Sequence, residues 1–428
     1  MLPLRASSTT RTKPPATSAH RPRPTTRLAP LLAALALVLV AWTSLAQPSR
    51  PRPADLTLPT RLRPVSGCAD TRHTTLEPRE KAAIVVLVRE RDLADLVPTL
   101  ANFEQRFNSR FRYPYVFLAS PDEGALSGAF RGEVERALPE GAHTRWGVVA
   151  DEHWRIPPHL DPDAVRRGFA EQEHRGVQYA GREAYHHMCR WYAGLWVRHD
   201  LLDDYDWFWR LEPGVRFFCT VTYDPFRLLA LHNKVYGFVM TVVENLNTVP
   251  SLFSAVKRYL ERRGLEPEGA LWRFLTRRGE DGDEQFSGCH FWTNMEIGDL
   301  RFFRSEAYQD FFRALDDDGG FYTERWGDAP VRALALGALA SIDQVHYFED
   351  LGYQHDWFFH CPARSTSRVG LRLDGDKGDG VVGCECECPR EGELQGRKKG
   401  QETLDMDKDW RFSCLEQWKA AERSSRGT

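Results

Sequence analysis

The apolar positions of the chain form unbroken runs and three- or four-residue repeats, which predict buried strands and amphipathic helices respectively. Residues 82–88 are a continuous apolar run, as in a strand buried on both faces of a sheet. Residues 91–107 carry apolar residues at helical spacing, and residues 113–119 form a second apolar run. A strand, a helix and a strand joined in this way predict a βαβ unit with parallel, right-handed pairing.

An aromatic-rich segment predicts a helix followed by a short strand. Residues 184–195 have apolar positions at helical spacing, and residues 206–211 are rich in tryptophan and phenylalanine. Glu212 follows the predicted strand, and Pro213 and Gly214 stop it from continuing. The carboxyl ends of strands in open α/β sheets line the crevice where ligands bind, so we expect Glu212 to lie in a ligand site.

Further strands and helices alternate through the rest of the chain. Apolar runs predict strands at 235–243 and 300–303, and helical spacing predicts helices at 251–263, 305–315 and 330–340. Asp328 just before the last of these helices and Pro330 in its first turn are typical of a helix start. The alternation predicts an α/β fold, and no G-x-G-x-x-G dinucleotide fingerprint follows the first strand.

The N-terminal part of the chain differs from the rest in charge. Residues 1–63 contain ten basic residues and one acidic residue, whereas the remainder contains 47 basic and 59 acidic residues. An acidic body argues against binding to the phosphate backbone of a nucleic acid, so no nucleic-acid partner is expected.

Residues 28–46 contain no charged residue and are long enough to cross a bilayer as one helix. Because six basic residues and no acidic residue precede them, we expect a cytosolic tail at 1–27 and a transmembrane signal anchor at 28–46. Cleavage as a signal peptide near residue 46 is the alternative. Residues 47–77 are proline-rich without an apolar period, which predicts a stem, and we expect residues 78–428 to form the lumenal domain.

Nine cysteines in a secretory compartment favour disulfide bonds, and the odd count leaves at least one cysteine unpaired. Cys384, Cys386 and Cys388, with Cys361 and Cys414 nearby, are alternatively a zinc cluster. Their one-residue spacing is shorter than that of common zinc ligands, so disulfides are preferred. The C-terminal part of the domain is therefore predicted to be Cys-rich and irregular.

Several sequence blocks resemble the fungal Golgi α-1,2-mannosyltransferases, the KTR-type enzymes of glycosyltransferase family fifteen. The blocks are Y-H-H-M-C-R-W-Y-A-G at 185–194, W-F-W-R-L-E-P-G-V at 207–215, H-F-W-T-N-M-E-I-G-D-L at 290–300, G-G-F-Y-T-E-R-W-G-D-A-P-V at 319–331, and residues 355–362. The family often has aspartate as the third residue of E-P-x-V, where this chain has Gly214. A second acidic metal ligand is therefore not expected at that position.

The resemblance implies a single GT-A-like catalytic domain with a mixed, Rossmann-related α/β sheet. It implies a retaining, Mn²⁺-dependent transferase that moves mannose from GDP-mannose to a mannose-terminated glycan in an α-1,2 linkage. The acceptor would belong to N-linked, O-linked or glycolipid glycosylation. The resemblance also implies a single-pass type II protein of the Golgi membrane with a lumenal catalytic domain.

The same blocks imply roles for individual residues. A divalent ion that bridges the diphosphate stabilises the leaving group, and carboxylate and imidazole ligands suit Mn²⁺. The implied metal ligands are Glu212 and His355. Glu296 is the implied catalytic carboxylate, acting through a covalent intermediate or in a same-face substitution. Tyr185 is implied to bind the diphosphate. The further candidates for donor and substrate binding are Arg210 for an acceptor hydroxyl or a phosphate, Asp328 for the sugar or acceptor, Arg89 at the end of the first strand for the phosphates or ribose of the nucleotide, and Trp326 for stacking on a sugar ring.

Alternatives exist for these residues and for the function. Arg210 could instead form a structural ion pair, and Asp328 could instead cap its helix. The rival functions are a nucleotide-sugar transferase with another donor or linkage, a catalytically silent lumenal glycan-binding protein, and a glycoside hydrolase, for which two carboxylates suffice.

Overall fold

The computed structural model describes residues 65–68, 79–362, 364–366, 370–373, 382–389 and 403–426. The predicted cytosolic tail and signal anchor lie outside these residues. In the part of the chain that is described, no helix combines the length and the apolar character needed to cross a membrane.

A seven-stranded mixed sheet forms the centre of the domain. In chain order its strands are Ala82–Leu87 (β1), Tyr115–Ala119 (β2), Thr144–Val148 (β3), Trp207–Arg210 (β4), Tyr236–Phe238 (β5), Glu296–Asp299 (β6) and Val345–Tyr347 (β7). Their order across the sheet is β7-β5-β6-β4-β1-β2-β3. β1 is parallel to β2 and β4, β2 to β3, and β5 to β7, whereas β6 is antiparallel to both of its neighbours. The predicted α/β fold, parallel βαβ unit and mixed sheet are confirmed.

Helices and short strands surround the central sheet. The helices of six or more residues are Leu93–Phe103 (α1), Gly128–Ala137 (α2), Pro162–His174 (α3), Glu183–Arg190 (α4), Pro225–Leu231 (α5), Leu252–Arg263 (α6), Ala270–Leu275 (α7), Glu306–Asp318 (α8), Asp328–Leu339 (α9) and Leu415–Arg426 (α10). Outside the central sheet, the strands are Val65–Cys68, Arg216–Phe217, Thr241–Val243, Thr276–Arg278, Glu284–Phe286, Cys289–Phe291, Tyr353–His355, Phe358–His360, Arg364–Thr366, Gly370–Leu373, Val382–Cys384 and Leu404–Asp405.

Local sequence explains where several helices begin and end. The Ser305 hydroxyl accepts a hydrogen bond from the Tyr308 amide at the start of α8, and Asp224 caps α5 in the same way. α6 ends at Gly264, which has a φ of 62°. A left-handed residue at this position is favourable for glycine because it has no Cβ atom.

The two faces of the sheet pack into two apolar cores. In β1, Ala83 and Val85 point into one core, and Ala82, Ile84 and Val86 point into the other. All five side chains are at most 2% exposed. β1 is therefore buried on both faces, which confirms the prediction from its continuous apolar run.

Two predicted strands are wrong in part. Residues 300–303 form a single helical turn, Leu300–Phe303, whose start is capped by the Asp299 side chain accepting from the Arg301 amide. A four-residue apolar run cannot distinguish a buried helix from a strand, and the cap decides the outcome here. The run at 235–243 is two strands rather than one, because β5 joins the central sheet and Thr241–Val243 pairs with Cys289–Phe291.

Part of the predicted stem belongs to the folded domain. Val65–Cys68 pairs antiparallel with Gly370–Leu373, and Cys68 forms a disulfide with Cys384. The stem prediction is therefore wrong for residues 65–68. The proline-rich composition around them gives no indication that they pair with a strand about 300 residues later in the chain.

Disulfides account for eight of the nine cysteines, as predicted. The four bonds are Cys68–Cys384, Cys219–Cys386, Cys289–Cys414 and Cys361–Cys388. Cys189 is buried and unpaired, which agrees with the odd cysteine count. The sulfurs of Cys219, Cys386 and Cys388 lie within 4.8 Å of one another, but each is already bonded to another sulfur and is not available as a thiolate for zinc.

Candidate active site

The site lies at the carboxyl ends of β1 and β4. Beyond β4, the Leu211 amide donates to the Val85 carbonyl at 3.0 Å and extends the pairing by one residue. The chain then turns at Gly214, which has a φ of 86° and donates its amide hydrogen to the Thr99 hydroxyl at 2.9 Å. This left-handed conformation favours the glycine at Gly214 and fixes the backbone that carries Glu212.

Glu212 and His355 are brought together across two separate parts of the chain. The Nε2 atom of His355, at the end of strand Tyr353–His355, lies 3.4 Å from a carboxylate oxygen of Glu212. Burial acts to raise the pKa of Glu212, but the Arg210 charge and the contact with His355 lower it to about 2. Glu212 is therefore an anion at neutral pH, beside an imidazole that can supply a nitrogen ligand.

Arg210 lies at the centre of three carboxylates, those of Glu212, Glu296 and Asp328, which we call the acidic cluster. Its Nη1 atom lies 2.7 Å from an oxygen of Asp328 and 3.8 Å from an oxygen of Glu296, and its Nη2 atom pairs with Glu212. The guanidinium carbon is 3.5 Å from the centre of the Tyr192 ring, a cation–π contact. Although burial acts to lower it, the pKa of Arg210 is raised well above its usual value by the neighbouring carboxylates. Arg210 therefore makes ion pairs inside the cluster, and its role towards a substrate stays a prediction.

Glu296 lies deeper than Glu212. It is 0% exposed at the first position of β6, with Arg210 as its direct cross-strand neighbour. An Arg332 Nε atom lies 3.1 Å from its other carboxylate oxygen. Burial raises the pKa of Glu296, and the two arginines oppose that effect. The structure places Glu296 in the acidic cluster, beneath its open part, and its predicted catalytic role stays a prediction.

Asp328 is the first residue of α9, and Gly327 occupies the capping position before it. Its carboxylate accepts hydrogen bonds from Arg210 at 2.7 Å and from the Thr293 hydroxyl at 2.9 Å. The side chain makes no capping hydrogen bond, so the alternative of a helix cap is wrong. Asp328 instead fixes the direction of the Arg210 guanidinium.

The remaining predicted residues are less central. Tyr185 is half-buried, with the Arg325 guanidinium 5.6 Å from its ring centre. Arg89 follows β1 at the same sheet edge, but it forms an ion pair with Asp92 at 2.8 Å. Trp326 is 1% exposed and packs on Phe321, so the structure does not support its predicted role of stacking on a sugar.

Residues that sequence reasoning missed complete the cluster. Arg332 contacts Glu296, and the Thr293 hydroxyl donates a hydrogen bond to Asp328. The Tyr192 ring stacks against the Arg210 guanidinium. A signal for Arg332 was present, because it is the one basic residue in the otherwise apolar helix α9 and follows Asp328 by four positions. Residues four apart share a face of a helix, so Arg332 lies on the same face of α9 as Asp328.

The donor set at Glu212 and His355 fits a divalent ion of the manganese type. Within the described residues, the Nδ1 atom of His355 is buried and has no hydrogen-bond partner, and Nε2 faces a carboxylate that remains ionised. One hard oxygen and one imidazole nitrogen are ligands that suit Mn²⁺. Both side chains are partly exposed, so an ion and its diphosphate can reach them.

A carboxylate at the carboxyl edge of an α/β sheet, beside an imidazole from a neighbouring sheet, is typical of a class of metal-dependent, nucleotide-binding enzymes. Within that class, the chain belongs to the glycolipid 2-alpha-mannosyltransferase family, the KTR-type enzymes of glycosyltransferase family fifteen, whose family model matches residues 60–390.

Relatives and solved structures agree with this assignment. The O-glycoside alpha-1,2-mannosyltransferase homolog 2 of Schizosaccharomyces pombe is 41% identical over 289 residues, covering 67% of this chain and 75% of that protein. The alpha-1,2 mannosyltransferase KTR1 of Saccharomyces cerevisiae is 37% identical over 300 residues, covering 70% and 74%.

Two solved structures share the fold over most of both chains. Core-mannan synthase A (CmsA/Ktr4) from Aspergillus fumigatus, in its Mn/GDP form, is similar with a TM-score of 0.66 and 30% identity, covering 82% of this chain and 88% of that one. The mannosyltransferase Ktr4p from S. cerevisiae in complex with GDP has a TM-score of 0.69 and 31% identity, covering 84% and 86%. The predicted family is confirmed.

Proposed function

We propose that this protein is a retaining α-1,2-mannosyltransferase that uses GDP-mannose and Mn²⁺. The observation that carries the proposal is the pair of Glu212 and His355, 3.4 Å apart at the carboxyl edge of the sheet. Relatives with alpha-1,2-mannosyltransferase activity in their names and neighbours solved with GDP, one of them also with manganese, support the donor, the linkage and the metal.

The reaction breaks the bond between C1 of mannose and the β-phosphate oxygen, and GDP leaves with the bonding electrons. A new bond forms between C1 and the O2 atom of the acceptor mannose, whose hydroxyl proton is released. Glu212 and His355 would hold the ion, which would supply positive charge to stabilise the leaving diphosphate. Arg210 lies beside Glu212, and its guanidinium is held in place by the ion pair with Asp328. In this position Arg210 orients the acceptor hydroxyl.

Glu296 supplies negative charge on the side of the cluster away from Glu212. Positive charge develops on the sugar as its bond to the diphosphate breaks, and a buried carboxylate stabilises that charge in a site of low dielectric. Tyr185 and Arg89 border the cluster and the sheet edge, which suits contacts with the diphosphate and the nucleotide. To make such a contact, Arg89 must break at least one of its hydrogen bonds to Asp92.

The acceptor is a mannose-terminated glycan of N-linked, O-linked or glycolipid glycosylation, and the compartment is the Golgi lumen. Four disulfides suit the oxidising environment of the secretory pathway. The uncharged segment 28–46 after a basic tail supports a type II signal anchor in the Golgi membrane.

Incubation of the full-length protein in detergent with GDP-mannose, Mn²⁺ and methyl α-mannoside tests the function. We expect a disaccharide with an α-1,2 linkage by NMR, no product after chelation of the metal, and no product with UDP-sugars. Binding of GDP without transfer would instead indicate a silent glycan-binding protein. Release of mannose from a glycan without a nucleotide would indicate a hydrolase.

A further inference from the structure

Arg210 and a second arginine, Arg332, contact different carboxylate oxygens of Glu296. Arg332 on α9 is 0% exposed, and its Nε atom lies 3.1 Å from the Glu296 carboxylate. In the described part of the chain, no other carboxylate lies within ion-pair distance of Arg332. A guanidinium buried this deeply is costly unless it is paired, so its position depends on Glu296.

The surroundings of Arg332 fix its direction. Its Nη2 atom donates to the Tyr192 carbonyl at 2.5 Å, and its guanidinium carbon lies 4.8 Å from the centre of the Phe303 ring. Tyr192 also stacks under Arg210, so both arginines are held by the same residue. With the guanidinium held by these contacts, its ion pair with Glu296 restrains the direction of the carboxylate.

The charges of the cluster show what Arg332 adds. Glu212, Asp328 and Glu296 all lie within ion-pair distance of Arg210, so one guanidinium serves three carboxylates. Arg332 supplies the second positive charge, and it supplies it to Glu296 alone. The other titratable groups that act on Glu296 among the described residues are Asp328 and the hydroxyls of Tyr192, Tyr236 on β5 and Tyr308 on α8, and none of them is positively charged.

From this geometry we propose that Arg332 is a positioning residue of the transfer reaction: it keeps Glu296 ionised and directed towards the acidic cluster. The inference rests on the proposed function, because Glu296 acts there as an anion. Burial raises the pKa of Glu296 and Arg332 opposes this rise, so loss of Arg332 favours the protonated form. Arg332 acts through Glu296 and does not contact the metal ligands.

The test compares Arg332→Gln and Arg332→Lys in the full-length enzyme, with Arg190→Gln as the matched control. Arg190 is also buried and pairs with Asp316 at 2.6 Å, away from the acidic cluster. For Arg332→Gln we expect kcat near pH 6.5 to fall at least about tenfold, with the acidic limb of the kcat profile moved up by about one pH unit or more. KM for GDP-mannose and the affinity for Mn²⁺ and GDP should not change, and Arg332→Lys should restore most of kcat.

Arg190→Gln should lower the Tm and leave the pH profile in place. The inference is overturned if Arg332→Gln behaves like Arg190→Gln, with a lower Tm and the wild-type profile. If Arg332→Gln does not fold, the neutral pair Glu296→Gln/Arg332→Gln decides: its residual kcat should equal that of Glu296→Gln alone, and a much lower value overturns the inference. An inactive wild-type protein overturns the proposed function first, whereas an active wild type with unaffected Arg332 variants overturns the inference alone.

Discussion

Arg210 on β4 lies directly opposite Glu296 on β6, and its guanidinium also pairs with Asp328 at 2.7 Å. The sheet register therefore fixes a cation between a carboxylate from a neighbouring strand and one from the first turn of α9. Because Arg210 also contacts Glu212, its charge links the metal-binding edge to the buried part of the cluster. A change in any one of these carboxylates alters the electrostatics of the other two.

Substitution of Glu212 by glutamine should abolish metal-dependent transfer without unfolding the domain. The amide keeps the size of the side chain but removes the anionic ligand. Loss of a residue that only hydrogen-bonds to a metal ligand lowers the affinity for the metal about 10- to 100-fold. Loss of the ligand itself should therefore weaken Mn²⁺ binding by at least about 100-fold. Titration of Mn²⁺ followed by electron paramagnetic resonance measures the change. Glu284→Gln, at a surface pair with Lys257, is the control, and unchanged Mn²⁺ affinity in Glu212→Gln would remove Glu212 from the metal site.

Asp328→Asn should reduce the efficiency with which the acceptor is used. Asparagine can still accept the Thr293 hydrogen bond but no longer carries the charge that directs Arg210. A hydrogen bond to a charged group contributes about 1.5–3 kcal/mol, so kcat/KM for methyl α-mannoside should fall about 10- to 100-fold. The KM for GDP-mannose should stay near the wild-type value.

The control for Asp328→Asn is Asp318→Asn, which removes a surface carboxylate paired with Arg258. Steady-state kinetics at fixed Mn²⁺ separates the two variants. If Asp328→Asn raises the KM for GDP-mannose and leaves acceptor kinetics unchanged, Asp328 belongs to the donor side of the site.

The local pattern of apolar residues was sufficient to predict the strands whose position depends on burial alone. The runs at 82–88 and 113–119 are uninterrupted because β1 and β2 are covered on both faces, and that burial is visible in any short window of sequence. Glu212 could be placed at the sheet edge because Pro213 and Gly214 mark the end of its strand. His355, by contrast, depended on the resemblance to the family, since 143 residues separate it from Glu212.

Contacts between distant segments could not be read from the pattern. Val65–Cys68 pairs with a strand 300 residues later, and the helical turn Leu300–Phe303 depends on a cap at Asp299. Arg332 was missed for a related reason. A lone arginine in an apolar helix is usually assigned to the surface, and only the position of Glu296 on β6 makes its burial favourable.

The disulfide pattern predicts the number of reactive thiols. Cys189 is buried, and burial raises the pKa of its thiol to about 12, so the native protein should not react with a maleimide at pH 8. After unfolding in guanidinium without reductant, we expect one modified cysteine by mass spectrometry, and nine after reduction. Cys189→Ser should show none before reduction. Three or more modified cysteines without reductant would contradict the four bonds.

Asp350 should limit stability at neutral and alkaline pH. Its carboxylate is buried and accepts a hydrogen bond from the Tyr223 hydroxyl at 3.0 Å. Burial raises its pKa to about 7, against a usual value of 3.8. Between these two values the unfolded chain releases a proton that the folded protein keeps, so this group favours the fold below pH 4 and its contribution is lost as pH rises through 7.

Asp350→Asn should therefore raise the Tm at pH 8 and leave it almost unchanged at pH 4.5. Asparagine can still accept from Tyr223 and carries no charge to desolvate, and a shift of about three pKa units corresponds to a gain of up to about 4 kcal/mol. Calorimetry at the two pH values measures the difference, with the exposed Asp343→Asn as the control for the removal of one negative charge. If Asp350→Asn is no more stable than the wild type at pH 8, the carboxylate is stabilised as an anion in the fold and its pKa is not raised.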